Sequence, residues 1–118
     1  MHPVTIAQTL GLDDSHITWL SNSVGVHKCM VEHFEGMQKA AQNDGIEISI
    51  ASGFRSFERQ LSIWNRKVLG EIPVKNRQNQ VVELNVLADI DKVKAILLYS
   101  ALPGTSRHHW GTDIDVYS

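Results

Sequence analysis

The sequence predicts an α+β domain, a small antiparallel sheet with helices packed on one side, and three patterns predict it. Val26, Met30, Phe34, Met37 and Ala41 recur every three or four residues, the spacing of one helical face. Ile46, Ile48 and Ile50 alternate with Glu47 and Ser49, the period-two pattern of a half-buried strand. The alternation returns from Thr112 to Tyr117, with helical stretches in between, and strands separated by helices in this way point to the α+β class.

In chain order, residues 1–22 read as a docked arm in which Thr5 to Leu10 form one short helix. A helix is expected from about Ser23 to Asn43, closed by Asn43-Asp44-Gly45, and the first strand follows at once. Ser52-Gly53-Phe54-Arg55 turns off that strand, and Ser56 caps a helix with Phe57, Leu61, Trp64 and Val68 on one side. From Gly70 to Ala88 the chain is rich in Gly, Pro, Asn and Gln, and Val74 to Leu84 reads as a hairpin or irregular flap with a polar tip at Asn76 to Asn79. Asp89 is expected to cap a third helix, with Ile90, Val93, Ile96 and Leu97 on one face, ended by Pro103-Gly104. In the last strand Asp113, Asp115 and Tyr117 share a face, because side chains alternate.

A chain of 118 residues without a repeat, low-complexity run or linker is a single domain spanning 1–118. Hydrophobic residues at 42% and charged residues at 20% are ordinary for a globular protein. A net charge of −2 gives no basic stripe, so nucleic acid is not an expected partner. One cysteine, Cys29, excludes an intrachain disulfide, and no segment reads as a secretory signal or membrane span.

The chemistry concentrates in Ser106-Arg107-His108-His109-Trp110-Gly111-Thr112-Asp113-Ile114-Asp115. An imidazole and a carboxylate are both good Zn²⁺ ligands. The His108–Asp115 spacing alone favours a surface histidine near an unrelated aspartate; the flanking Ser106, Gly111 and strand pattern reverse that in favour of a metal pair. His109 is expected behind the metal or exposed, Trp110 as a packing wedge, and Asp113 as the acceptor that orients His108 or as a repulsive neighbour of Asp115. Arg55 sits at a strand-to-helix corner, where its guanidinium could grip a carboxylate, steady an oxyanion or bridge to a core-edge acid. Gln60, one turn after Ser56, either supports Arg55 or faces solvent. Cys29 and His33, four apart, could clip a metal but are expected on the packed face of their helix.

Read with Ser52-Gly53-Phe54-Arg55-Ser56 and Leu102-Pro103-Gly104-Thr105, the segment resembles the VanY-type D-alanyl-D-alanine carboxypeptidases of the LAS group of zinc peptidases. Their motif S-x-H-x-x-G-x-A-x-D is met at Ser106, His108, Gly111 and Asp115, with Asp113 standing where alanine is common. The resemblance runs from about Val26 onward. It implies a LAS/hedgehog-like peptidase fold, Zn²⁺ held by His108 and Asp115, and Arg55, Ser106 and Gln60 as substrate-binding residues, with Arg55 also catalytic. It implies hydrolysis of the D-Ala-D-Ala end of peptidoglycan stem peptides or precursors by metal-activated water.

The family's later E-x-x-H segment, which brings the general base and a third ligand, has no counterpart here. Glu71 and Glu83 are weak stand-ins. The chain is therefore expected to represent the N-terminal portion of such an enzyme, without its later strands. Alternatives are a peptidoglycan endopeptidase of the same fold and a non-catalytic module binding metal or cell-wall peptide. An open sheet edge would permit homo-oligomers. The resemblance favours the bacterial envelope or periplasm, and the lack of a visible leader leaves the cytoplasm open.

Overall fold

A computed structural model describes residues 3–21 and 23–118. Thr5 opens helix α1 (Ile6–Thr9) with a capping box, its hydroxyl accepting from the Gln8 amide while the Gln8 side chain accepts from the Thr5 amide. Strands β1 (Ile17–Trp19) and β2 (Gly25–His27) form an antiparallel hairpin, pairing Thr18 with Val26. A 3₁₀ turn over Lys28–Met30 leads into α2 (Val31–Asn43). Strand β3 (Ser49–Ser52) follows, then α3 (Phe57–Val68), α4 (Asp89–Leu97) and β4 (Asp115–Tyr117), which pairs antiparallel with β3.

The α+β class holds, with four local differences from the sequence expectation. Helix α2 starts at Val31 rather than near Ser23, because Val24 to His27 carry β-branched residues and a glycine that favour extension. Val26, read as helical, is a fully buried strand residue. Strand β3 starts at Ser49, leaving Ile46 about half exposed, and β4 begins only at Asp115. Ala88, not Asp89, is the residue before α4, and no side chain caps that helix. Ser56 does cap α3, accepting from the Arg59 amide at 3.0 Å. Of the hairpin or irregular flap expected over 74–84, the structure has a short hairpin, closed by a Lys75–Val81 bridge and a Val82 N–H to Val74 carbonyl bond.

Two apolar clusters hold the chain together instead of one layer of helices on one sheet. Val26, Phe34 and Ile50 join the β-hairpin, α2 and β3. Val74, Leu84 and Ile96 join the 74–82 hairpin to α4, with Trp64 of α3 against them. A radius of gyration of 16.7 Å exceeds the about 13–14 Å of a compact chain this long, and a slab only 19 Å thick has room for small separate cores rather than one.

Candidate metal and peptide site

The site forms where the end of β3 meets the turn before β4. A register shift between Ile50 and Ser52 places Ser52 opposite Asp115, re-aiming both side chains toward one side as bulges do. Gly53 then passes so close to the β-hairpin that a Cβ there would stand 2.3 Å from the Gly25 carbonyl oxygen. That approach lets the Phe54 amide bond to the same carbonyl.

Ser106, almost fully buried, opens a 3₁₀ turn over Arg107–Trp110, its hydroxyl accepting from the His108 amide at 3.2 Å. Gly111 ends the turn at φ +77°, and its carbonyl accepts from the His27 amide at 2.8 Å. A Cβ on Gly111 would meet Ile17 Cδ1 at 2.4 Å and the His27 nitrogen at 2.8 Å. This glycine therefore allows the motif to press on the β-hairpin rather than easing the approach of the two ligands to each other.

The His108 ring lies with Nδ1 3.0 Å from the Gly53 carbonyl and Nε2 3.5 Å from Asp115 Oδ2. A carbonyl can only accept, so Nδ1 carries a proton and Nε2 is the ring atom turned toward Asp115. Two ligands each about 2.0–2.2 Å from a tetrahedral Zn²⁺ stand about 3.3–3.5 Å apart. The observed separation matches that edge, and Asp115, well exposed, leaves the position open to solvent. The group that orients His108 is the Gly53 carbonyl. Asp113, expected in that role, turns away to pair with Arg107 at 3.1 Å.

Arg55 is held at both ends. Its Nη1 donates to Gln60 Oε1 and its Nη2 to Ser52 Oγ, each at 3.0 Å. Its backbone amide donates to the His108 carbonyl at 3.0 Å, and its own carbonyl accepts from His109 Nδ1 at 2.6 Å. Burial, then the neighbouring Arg59, lower the Arg55 pKa, and Asp115 opposes them. Gln60 is buried rather than solvent-facing, and its Nε2 donates to the Ala101 carbonyl at 2.7 Å.

His109 is completely buried, which rules out the exposed place of the two expected for it. Its Nε2 accepts from the Gly104 amide at 3.0 Å, so it ties Arg55 to the 102–105 turn. Trp110 is 44% exposed and wedges only in part. Cys29 and His33 are both exposed, off the packed face expected for them, and among the described residues no group of three His, Cys, Asp or Glu is arranged around one point. Glu71 pairs with Arg66, and Glu83 lies in the exposed segment before Leu84. Neither takes the place of a base beside His108. No local sequence signal marks the contacts of Ser52, Gly53 and His16; His16, whose Nε2 lies 3.2 Å from the His109 carbonyl, braces the turn from behind.

The sequence pattern described as D-alanyl-D-alanine carboxypeptidase (VanY) matches residues 23–118. The chain belongs to the VanY family. An uncharacterized protein of Haemophilus influenzae is 43% identical over 72 residues, covering 61% of this chain and 49% of that protein. The solved structure of VanYB in complex with D-alanine-D-alanine superposes with a TM-score of 0.66 at 26% identity, over 88% of this chain and 51% of that one. A VanY D,D-pentapeptidase from a VanB-type resistance cassette, crystallised with Zn(II), gives 0.63 at 24% identity, over 88% and 54%, and supports the fold. The VanY chain described here thus spans about half the length of these relatives. The match covers Arg55, Gln60, Ser106, His108 and Asp115.

Proposed function

We propose that the chain contributes two metal ligands and the carboxylate-gripping arginine of a zinc D-alanyl-D-alanine carboxypeptidase site. The observation that carries this is the 3.5 Å facing of His108 Nε2 and Asp115 Oδ2 beside an arginine whose guanidinium is fixed by Ser52 and Gln60. When bound there, Zn²⁺ would supply Lewis acidity and a lowered water pKa. The chain's own residues do the rest of the work assigned to it here. Gly53 keeps His108 in the tautomer that presents Nε2. Ser106, almost fully buried, holds the turn carrying His108. Arg55, with N–H donors beyond those used by Ser52 and Gln60, receives the terminal carboxylate of a D-Ala-D-Ala peptide. Such peptides belong to peptidoglycan, and the reading places the protein at the bacterial envelope.

Titration calorimetry with Zn²⁺ and then with D-Ala-D-Ala, alongside an assay for released D-alanine, tests the proposal. Metal binding lost in Asp115→Ala, peptide binding lost in Arg55→Ala, and D-alanine release are expected. Zn²⁺ binding indifferent to both His108→Ala and Asp115→Ala would sink it. The absence of a third ligand among the described residues favours one other reading, a module that binds metal and peptide without turnover. Binding with no D-alanine released would select that reading, and cleavage at an internal cross-link instead would make the protein an endopeptidase.

A further inference from the structure

Between α4, the end of α3 and the 74–82 hairpin the molecule carries a hollow of about 350 Å³. Lys67, Lys75, Asn79 and Tyr99 line it with polar groups, over the apolar Val74 and Ile96. The chain as a whole is acidic, yet residues 66–79 hold Arg66, Lys67, Lys75 and Arg77 against one acid, Glu71, which is engaged by Arg66. Among the described residues no carboxylate lies within ion-pair distance of Lys67 or Lys75.

Lys67 is held in place. Its ammonium donates one hydrogen bond to Ser100 Oγ, a nearly buried hydroxyl, which leaves two N–H directions to fill. Burial first, and the charge of Arg55 second, lower its pKa, so its positive form lacks the counter-charge it needs. The opposite rim is rigid: Asn76 Oδ1 accepts from the amides of Gln78 and Gln80, and Asn79 sits at φ +61°. Two cations, one anchored and one on a braced hairpin, face an apolar floor. A small inorganic anion would leave that floor unused, whereas a carboxylate on an aliphatic stem would use both.

We propose that this hollow is a second binding site, specific for a carboxylate carried by an acidic peptide, with Lys67 and Lys75 as its charge partners and Val74 and Ile96 as the wall for the aliphatic stem. It depends on neither metal nor hydrolysis.

The test is an amide-resolved NMR titration of the 118-residue protein, without metal, using acetyl-Ala-Glu-Ala-amide and its Gln counterpart. Capped ends remove the terminal carboxylate that Arg55 would compete for. The Glu peptide is expected to shift the amides of Lys75, Asn79, Ala95 and Tyr99, and to bind about tenfold more tightly than the Gln peptide, the scale of one charge-assisted contact. Lys67→Gln should remove that preference, and Lys75→Gln, on an exposed hairpin, should weaken it several-fold without threatening the fold. Equal binding of the two peptides, shifts centred on Arg55, or inorganic phosphate matching the Glu peptide would each overturn the proposal. Because neither Zn²⁺ nor D-alanine release enters, failure here leaves the carboxypeptidase reading standing, and failure of that reading leaves this one.

Discussion

Replacing Gly111 by alanine isolates how much of the site depends on the motif pressing against the β-hairpin. Gly111 and Gly45 have nearly the same backbone angle, φ +77° and +76°, so an alanine at either position bears the same left-handed strain. That strain is about 1–2 kcal/mol. Their surroundings differ: a Cβ at Gly45 meets nothing within 4 Å, whereas one at Gly111 falls 2.4 Å from Ile17 Cδ1 and 2.8 Å from the His27 nitrogen. Ile17 can rotate away, but the His27 nitrogen is backbone and already donates to the Gly111 carbonyl. Forcing those two segments apart adds about 1–3 kcal/mol, the usual cost of overpacking. Gly45→Ala should therefore lose about 1–2 kcal/mol and Gly111→Ala about 2–5. Urea unfolding followed by tryptophan fluorescence measures both, with equal slopes required before the midpoints are compared. If the two variants lose the same stability within about 0.5 kcal/mol, the close approach of the motif to the hairpin is not a constraint, and the account of Gly111 is wrong.

Four further outcomes are expected. His109→Ala, which strands the Arg55 carbonyl and Gly104 amide and opens a cavity at a fully buried site, should cost about 3–5 kcal/mol by denaturant unfolding. Arg55→Lys keeps the charge but loses the fork shared by Gln60 and Ser52; calorimetry should show D-Ala-D-Ala binding weakened about tenfold or more. Burial lowers the pKa of both His27 and His109 from an ordinary 6.5, so below that pH the unfolded chain binds more protons. Stability should hold above pH 6.5, fall as the pH drops below it and level off beneath the folded-state values; a midpoint unchanged between pH 7 and 5 would contradict this. Arg107→Ala frees Asp113 without touching the His108–Asp115 pair, so Zn²⁺ affinity should change less than about threefold.

Elements marked by local caps and turns are legible from the residues alone. Ser56 before a three-and-four apolar rhythm marks the start of α3, and the Asn-rich tip between Val74 and Leu84 marks its hairpin, because caps and turns are set by neighbouring residues. The apolar stripe from Val26 to Ala41 misled at its beginning. Two residues at helical spacing also fit a strand followed by a helix, and the pairing of Val26 with Thr18 is a tertiary fact. The site divides in the same way. Ser106, His108 and Asp115 are legible because one short segment carries all three, and Arg55 because it stands at a corner. Which of two adjacent histidines turns inward was not legible, since it depends on the carbonyls of Gly53 and Arg55, more than fifty residues earlier. For Asp113, alternation predicted a shared face with Asp115, but the strand begins too late to impose it, and Arg107 takes the carboxylate instead.

The pairing of Ser49 with Tyr117 joins residues far apart in the sequence. Strand β3 leaves the ribosome long before its partner, so during synthesis its hydrogen-bonding edge waits while α3, the 74–82 hairpin and α4 assemble around their own cluster. Contacts of such sequence separation form late and slowly. Asp115 comes to face His108 only when that ladder closes, so a metal held by this pair would have to bind after β4 has paired with β3.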